Sequence, residues 1–212
     1  MINRLQLTAS GLLVAILFVS FTVDAQAQYW RKRAQIVAPV EPETPTIALL
    51  DSIVTYVEES DSIKVRRSPE DPTRHTGMEL SNLLVEEAAL DITSANNVFI
   101  DYQFDLDRKG FEESIRAIRF IYRPPGGAAG QDIPIMYLSA KKDPWLNRLL
   151  TQKGTTGENL MALSTFRDQL AFARVVRNMQ AQITQIGDQP VRDGFERKKR
   201  QLVREITQLT YR

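Results

Sequence analysis

Asp105-x-Asp107-x-x-Gly110, followed by Glu112 and Glu113, sets oxygen ligands at a spacing that suggests a calcium loop. A helix-loop-helix calcium site starting at Asp105 requires an oxygen ligand at its fifth position and a bidentate glutamate at its twelfth. Those positions hold Lys109 and Arg116. Two cations in ligand positions repel the ion, so Asp107 to Gly110 reads instead as a polar turn with a glycine free to take positive φ. The same carboxylates, with Asp101, could supply the acid and base of glycoside hydrolysis. That chemistry needs a pair roughly 5 to 9 Å apart across a sugar cleft. The chain has two tryptophans, Trp30 and Trp145, which gives no aromatic platform for a sugar.

Other reactive types are sparse. His75 is the one histidine, and it sits in a proline-broken polar stretch without a nucleophile-elbow sequence around any serine. Cysteine is absent, which removes thiol nucleophiles, thiolate zinc sites, iron–sulfur ligation and disulfide staples. The glycine run from Pro124 to Gly130 lacks the Lys-Ser/Thr and the following helix that a phosphate cradle needs. The sequence therefore predicts no catalytic residue, no metal site and no cofactor.

Near the C-terminus Arg192, Arg197, Lys198, Lys199, Arg200 and Arg204 gather against Asp193, Glu196 and Glu205. Such a cluster suits an anionic envelope surface, an acidic partner or a solvated helix face. The N-terminus argues against nucleic acid, because it reads as an export signal. Arg4 is the positive n-region, Gly11 to Val23 is an apolar run, and Ala25-Gln26-Ala27 is a small-x-small cleavage site. The run is bounded by Ser10 and Asp24 and falls short of the roughly 20 apolar residues of a spanning helix. No cysteine follows it, so a lipoprotein anchor is not expected. The composition is that of a globular protein, with 43% hydrophobic and 25% charged residues, and a formal net charge of +1 gives no global field.

The elements expected to carry these residues fall into four stretches. Residues 1–27 are the signal peptide and 28–45 a proline-rich tether, in which Pro39, Pro42 and Pro45 recur every third residue and favour polyproline II. Residues 46–150 form an α+β domain. Ile47, Leu50, Val54 and Val57 predict a helix, and Met78, Leu80, Leu84 and Ala88 predict a second over Gly77 to Asp91. Val98, Ile100, Tyr102, Phe104 and Leu106 alternate with wetter residues in the clearest strand of the chain. Residues 111–123 fit a helix on Phe111, Ile115, Ile118 and Tyr122 as well as a strand, with the strand preferred over 114–123, and 133–140 reads as another, giving a short antiparallel sheet of about three strands. Residues 151–212 are expected to form an antiparallel helical hairpin. Its first helix spans Asn159 to Ile186 on the stripe Leu163, Phe166, Leu170, Ala173, Val176, Met179 and Ile183. Gly187 would close that helix and Pro190 would open the second, on Val191, Phe195, Leu202, Ile206 and Leu209.

Phe104-Asp105, Ile115-Arg116, the run from Ile133 to Leu138 (IPIMYL), Asn147 after Trp145, and Phe166-Arg167-Asp168 occur in that order. Over about residues 96–178 this succession resembles the GldN/PorN family of periplasmic components of the type IX secretion and gliding-motility machinery. The resemblance implies a non-enzymatic ring or scaffold component beneath the outer membrane, bound to a lipoprotein partner. The expectation is thus an exported, periplasmic or outer-membrane-associated interaction protein, acting with other envelope proteins, at a membrane surface or within an oligomer. Its candidate partner-binding residues are Trp30, Trp145, Phe166, Arg197, Lys198 and Arg200. Two rival expectations are a small-ligand or carbohydrate-active protein using the acidic strand face, and a periplasmic chaperone gripping clients with the hairpin.

Overall fold

A computed structural model describes residues 30–126, 131–153, 164–179, 181–191 and 196–210. The signal segment and most of the glycine run therefore lie outside the described residues.

The described chain is α+β, as expected, but its sheet is twice the expected size. Six antiparallel strands run in the order β4-β3-β2-β1-β5-β6. They are β1 (Trp30–Pro39), β2 (Asn97–Asp107), β3 (Gly110–Tyr122), β4 (Ile133–Ser139), β5 (Gln182–Ile186) and β6 (Gln189–Pro190). The helices are α1 (Pro45–Glu58), α2 (Gly77–Ala88), α3 (Pro144–Leu150), α4 (Phe166–Gln169), α5 (Phe172–Asn178) and α6 (Glu196–Thr210).

The expected tether contains an interior strand. β1 pairs with β2 from Trp30↔Leu106 to Pro39↔Asn97, and on its other side with β5 from Ala34↔Ile186 to Val37↔Gln182. Ala34, Ile36 and Ala38 alternate inward and are buried, so the strand has a core face despite three basic residues at its start. The proline period that favoured polyproline II comes from boundaries. Pro39 ends β1, and Pro45 occupies the first turn of α1, where a missing N–H costs nothing.

The expected helical hairpin is not present. In place of one helix over Asn159 to Ile186 the described residues form two short helices and a strand, α4, α5 and β5. Two sheet side chains support the break between α4 and α5. The Tyr102 hydroxyl donates to the Leu170 carbonyl at 2.7 Å, and the Glu113 carboxylate accepts the Phe172 N–H at 2.7 Å. Groups left without partners where a helix ends are thus satisfied by the sheet. Ile183 fits helical and strand spacing equally, and here it faces the core from β5. Gly187 does take positive φ, at 61°, but it turns the β5–β6 hairpin instead of closing a helix. Only the second expected helix survives, as α6, with Leu202 and Ile206 buried.

All the helices join a core on one face of the sheet. Ile36, Ile100, Ile118 and Phe120 point into it from the strands, and Leu49, Ile53, Leu80, Leu146 and Ile206 from the helices. α2 starts on a reciprocal capping box, with Glu79 N–H donating to Thr76 Oγ1 and Thr76 N–H donating to Glu79 Oε2. At the β4 edge, Tyr137 N–H donates to the Arg66 carbonyl at 2.7 Å, and Arg67 Nε donates to the Pro134 carbonyl. The segment around Arg66 thereby covers an edge that would otherwise invite strand addition. The other edge, β6, is short and contains a proline. Among the described residues no helix is long and apolar enough to cross a membrane.

Candidate interaction surface

The sheet sorts the acidic residues of the β2–β3 hairpin onto different surfaces. Asp101 and Asp105 alternate with the buried Ile100, Tyr102 and Phe104, so they point away from the core. Glu112 pairs with Asp105 across the strands, and Asp107 lies in the turn, where its Oδ1 accepts the Lys109 N–H at 2.7 Å. That is the side-chain-to-backbone turn expected of Asp at such a position. Asp105 is held by Arg31 Nε and Gln103 Nε2, both at 2.6 Å. No group of His, Cys, Asp or Glu among the described residues is arranged to hold a metal ion.

Glu113 is the exception in the hairpin. It shares the core face with Tyr102 and Phe104, and burial pushes its carboxyl up to about 7 against the opposing pull of the Phe172 N–H. An aromatic cluster lies beside it. Phe172 meets Tyr102 and Phe104 edge-on, with ring centroids 5.4 and 5.2 Å apart, and Phe104 stacks on Phe111. Glu113 therefore lies across the sheet from Asp101, Asp105 and Glu112. The carboxylate with the raised pKa does not share a cleft with them.

His75 contributes to the β4-side loop. Its backbone exchanges both hydrogen bonds with Val65, and its Nε2 lies 3.5 Å from Asp71. The Thr73 N–H, and then His75, hold Asp71 below the usual carboxylate range.

Among the described residues no helix packs on the outward face of the sheet. Cross-strand rows run Val37, Phe99, Arg119, Tyr137 and, one level along, Gln35, Asp101, Ala117, Ser139. The Arg119 guanidinium lies 4.5 Å from the Phe99 ring centroid, and that of Arg66 lies 4.8 Å from Tyr137. A groove of about 400 Å3 crosses this face between Asp101, Gln103, Ser114, Arg116, Tyr137, Lys141 and Asn147. A smaller hollow of about 130 Å3 continues past Asp101 and Arg116 to Arg33, Gln35, Gln185 and Asp188.

A β-bulge places Arg116, which with Asp101 lines both hollows. The β2–β3 register shifts between Asp101↔Ala117 and Tyr102↔Ile115, so Arg116 is the extra residue. A bulge of this kind re-aims a side chain out of the regular alternation. The Arg116 side chain is exposed and makes no ion pair among the described residues, and the same holds for Arg33. Asp101 accepts from Gln35 Nε2 at 2.7 Å. The two hollows are thus lined by three cations, Arg33, Arg116 and Lys141, and two carboxylates, Asp101 and Asp188.

A scan against family models finds no match to this chain, and a search of the curated proteins finds no relative.

The six expected partner residues divide by element. Trp145 is 8% exposed and stacks on Tyr56 at 5.5 Å, and Phe166 is 2% exposed beneath α4. Both are core residues and offer no surface to a partner. Trp30 is half-buried at the start of β1, beneath Lys32 Nζ at 4.9 Å. Arg197, Lys198 and Arg200 are exposed on α6. Arg33, Arg116, Arg119 and Tyr137 of the open face are not among the expected partner residues. The alternation of β2 marks a wet face, but it does not tell that no helix covers it.

Proposed function

We propose that the protein is a non-catalytic interaction component of the cell envelope, docking a protein partner on the open face of its sheet. One observation carries this reading: the described helices pack on a single side of the sheet, while the other side bears a groove and an adjoining hollow whose Arg116 and Arg33 make no ion pair among the described residues. Arg33 and Arg116 favour acidic side chains on the partner, which a planar guanidinium binds bidentately. Phe99 and Tyr137, each with an arginine over its ring, supply amphipathic contact area of the kind enriched at interfaces.

Hydrolysis of a glycoside is less well supported, because Glu113 and the outward carboxylates lie on opposite faces. A chaperone built on an apolar hairpin loses its basis with the hairpin, since Leu202 and Ile206 are buried in this chain's own core. The succession of residues over 96–178 that resembles the GldN/PorN components suits a docking role in a secretion or gliding assembly, and the export signal read at residues 1–27 suits the periplasm.

The test is recovery of the native protein from envelope fractions in mild detergent, followed by lysine cross-linking and mass spectrometry. Recovery in a larger assembly, with cross-links from Lys141 beside the groove, supports the reading. Recovery as a lone monomer overturns it.

A further inference from the structure

On α6, Arg197, Arg200 and Arg204 recur at intervals of three and four and so form one ridge, which Gln208 extends by a further turn. The ridge is exposed, and it lies opposite the buried Leu202 and Ile206. From Arg197 to Gln208 it runs roughly 16 Å at the helical rise. The acids of the same helix are already engaged elsewhere. Glu196 pairs with Lys199 at 2.8 Å, and Glu205 pairs with Lys32 and accepts from Gln201 Nε2. Among the described residues Arg197 and Arg204 make no ion pair, while Arg200 Nε donates to the Glu196 carbonyl and its charge acts on the Glu196 carboxylate. Among the described residues of the helix, cations therefore outnumber acids.

The ridge leads into an apolar corner. A recess of about 190 Å3 lies between Trp30, Leu106, Glu205, Gln208 and Leu209, with the tryptophan and both leucines half-buried. A cationic ridge ending at a partly exposed tryptophan and leucines is the arrangement by which a helix rests on a bilayer. Arginines meet headgroup phosphates, while tryptophan sits at the headgroup level. An acidic protein segment would account for the arginines but not for the apolar end of the stripe.

We infer that α6 is a membrane-surface contact, with Arg197, Arg200 and Arg204 binding anionic phospholipid headgroups and the Trp30–Leu209 corner entering the interface. The open sheet face then points away from the bilayer and is left for the partner. The contact stands independently of that partner, because its test contains lipid alone.

The chain from Gln28 onward, the form left by the expected signal cleavage, holds every described residue and is the form to assay. Sedimentation with vesicles of phosphatidylglycerol in phosphatidylcholine, against phosphatidylcholine alone, reads the binding. Each cation at an anionic leaflet contributes roughly fivefold to partitioning, so R197Q/R200Q/R204Q should weaken it by roughly a hundredfold. A charge-matched control, K64Q/K142Q/R148Q, alters exposed residues outside the stripe and should bind within a few-fold of wild type. Binding should also fall steeply with added salt. Tryptophan emission should shift to the blue on anionic vesicles, and the shift should vanish in Trp30→Phe, because Trp145 is in the core. Circular dichroism confirms that each variant is folded. No binding to anionic vesicles, equal binding to neutral ones, or wild-type binding by the folded triple variant would each overturn the inference.

Discussion

The Glu113 carboxylate on β3 accepts the backbone N–H of Phe172 at 2.7 Å, joining the sheet to the first residue of α5. A second link lies alongside it, from the Tyr102 hydroxyl to the Leu170 carbonyl. Between them the chain turns from α4 into α5, so a buried acid and a buried phenol decide where a long apolar stripe stops being one helix.

That placement makes stability depend on pH through Glu113. Its carboxyl rises from 4.5 to about 7 on folding, chiefly by burial. The folded state then holds more protons than the unfolded state between those values, so stability must fall as pH rises. The favourable contribution is complete below about 4.5 and is lost as pH passes through about 7. At about 1.4 kcal/mol per unit the full loss approaches ~3 kcal/mol. Glu113→Gln keeps an acceptor for the Phe172 N–H and cannot ionise. Urea unfolding at pH 5 and pH 8 should show the variant gaining about 1–3 kcal/mol on wild type between the two conditions. Asp71, Asp91, Asp132 and Glu205 are all held below their usual range, but they act alike in both proteins and cancel in the difference. An unchanged difference between pH 5 and pH 8 would show that Glu113 is not buried as an acid.

β1 offers a test of the sheet order. If Trp30–Pro39 lies between β2 and β5, its amides are sheltered from exchange by hydrogen bonds on both sides. Hydrogen exchange read by mass spectrometry should find the peptide over Arg33–Ala38 as slow as that over Val98–Phe104. A tether would exchange within seconds.

Asp143 is the most deeply buried charged residue among the described ones, at 1% exposure. Its carboxylate accepts the Ser139 N–H at 2.8 Å and pairs with the half-exposed Arg74. Removing the arginine leaves a buried charge short of a partner, at a cost of about 1–3 kcal/mol given solvent access on the Arg74 side. Asp143→Ala also strands the Ser139 N–H where β4 turns towards α3, so it should cost more than Arg74→Ala. Equilibrium unfolding of the two variants checks that order.

Much of the middle of the fold is legible in the sequence, because local pattern and tertiary role agree there. Val98 to Leu106 alternates cleanly, Gly77 to Ala88 has its cap in Thr76 and Glu79, and α1 has its apolar face. The losses come where a pattern supports two structures. In β1 the inward positions are Trp30, Lys32, two alanines and one isoleucine, so the hydrophobic alternation is broken and weak, while the prolines that bound elements look like a period. In residues 166–186 the stripe fits a helix, and only Tyr102 and Glu113, more than fifty residues away, break it. The candidate surfaces divide similarly. The basic character of α6 is readable from composition, whereas Trp145 and Phe166 carry no local sign that they are core. The arginines of the open face depend on a bulge and on which side the helices pack, neither of which one strand reveals.

Docking on the open sheet face is the central claim, and site-specific photo-crosslinking in cells tests it most directly. A photoreactive phenylalanine analogue replaces Gln103 in the groove and, in a second strain, Arg174 on the exposed side of α5. The account predicts a discrete adduct with an envelope protein from position 103, reduced when Arg33 and Arg116 are both changed to glutamine, and none from position 174. An adduct from position 174 alone, or none from position 103 in folded protein at native levels, would contradict it.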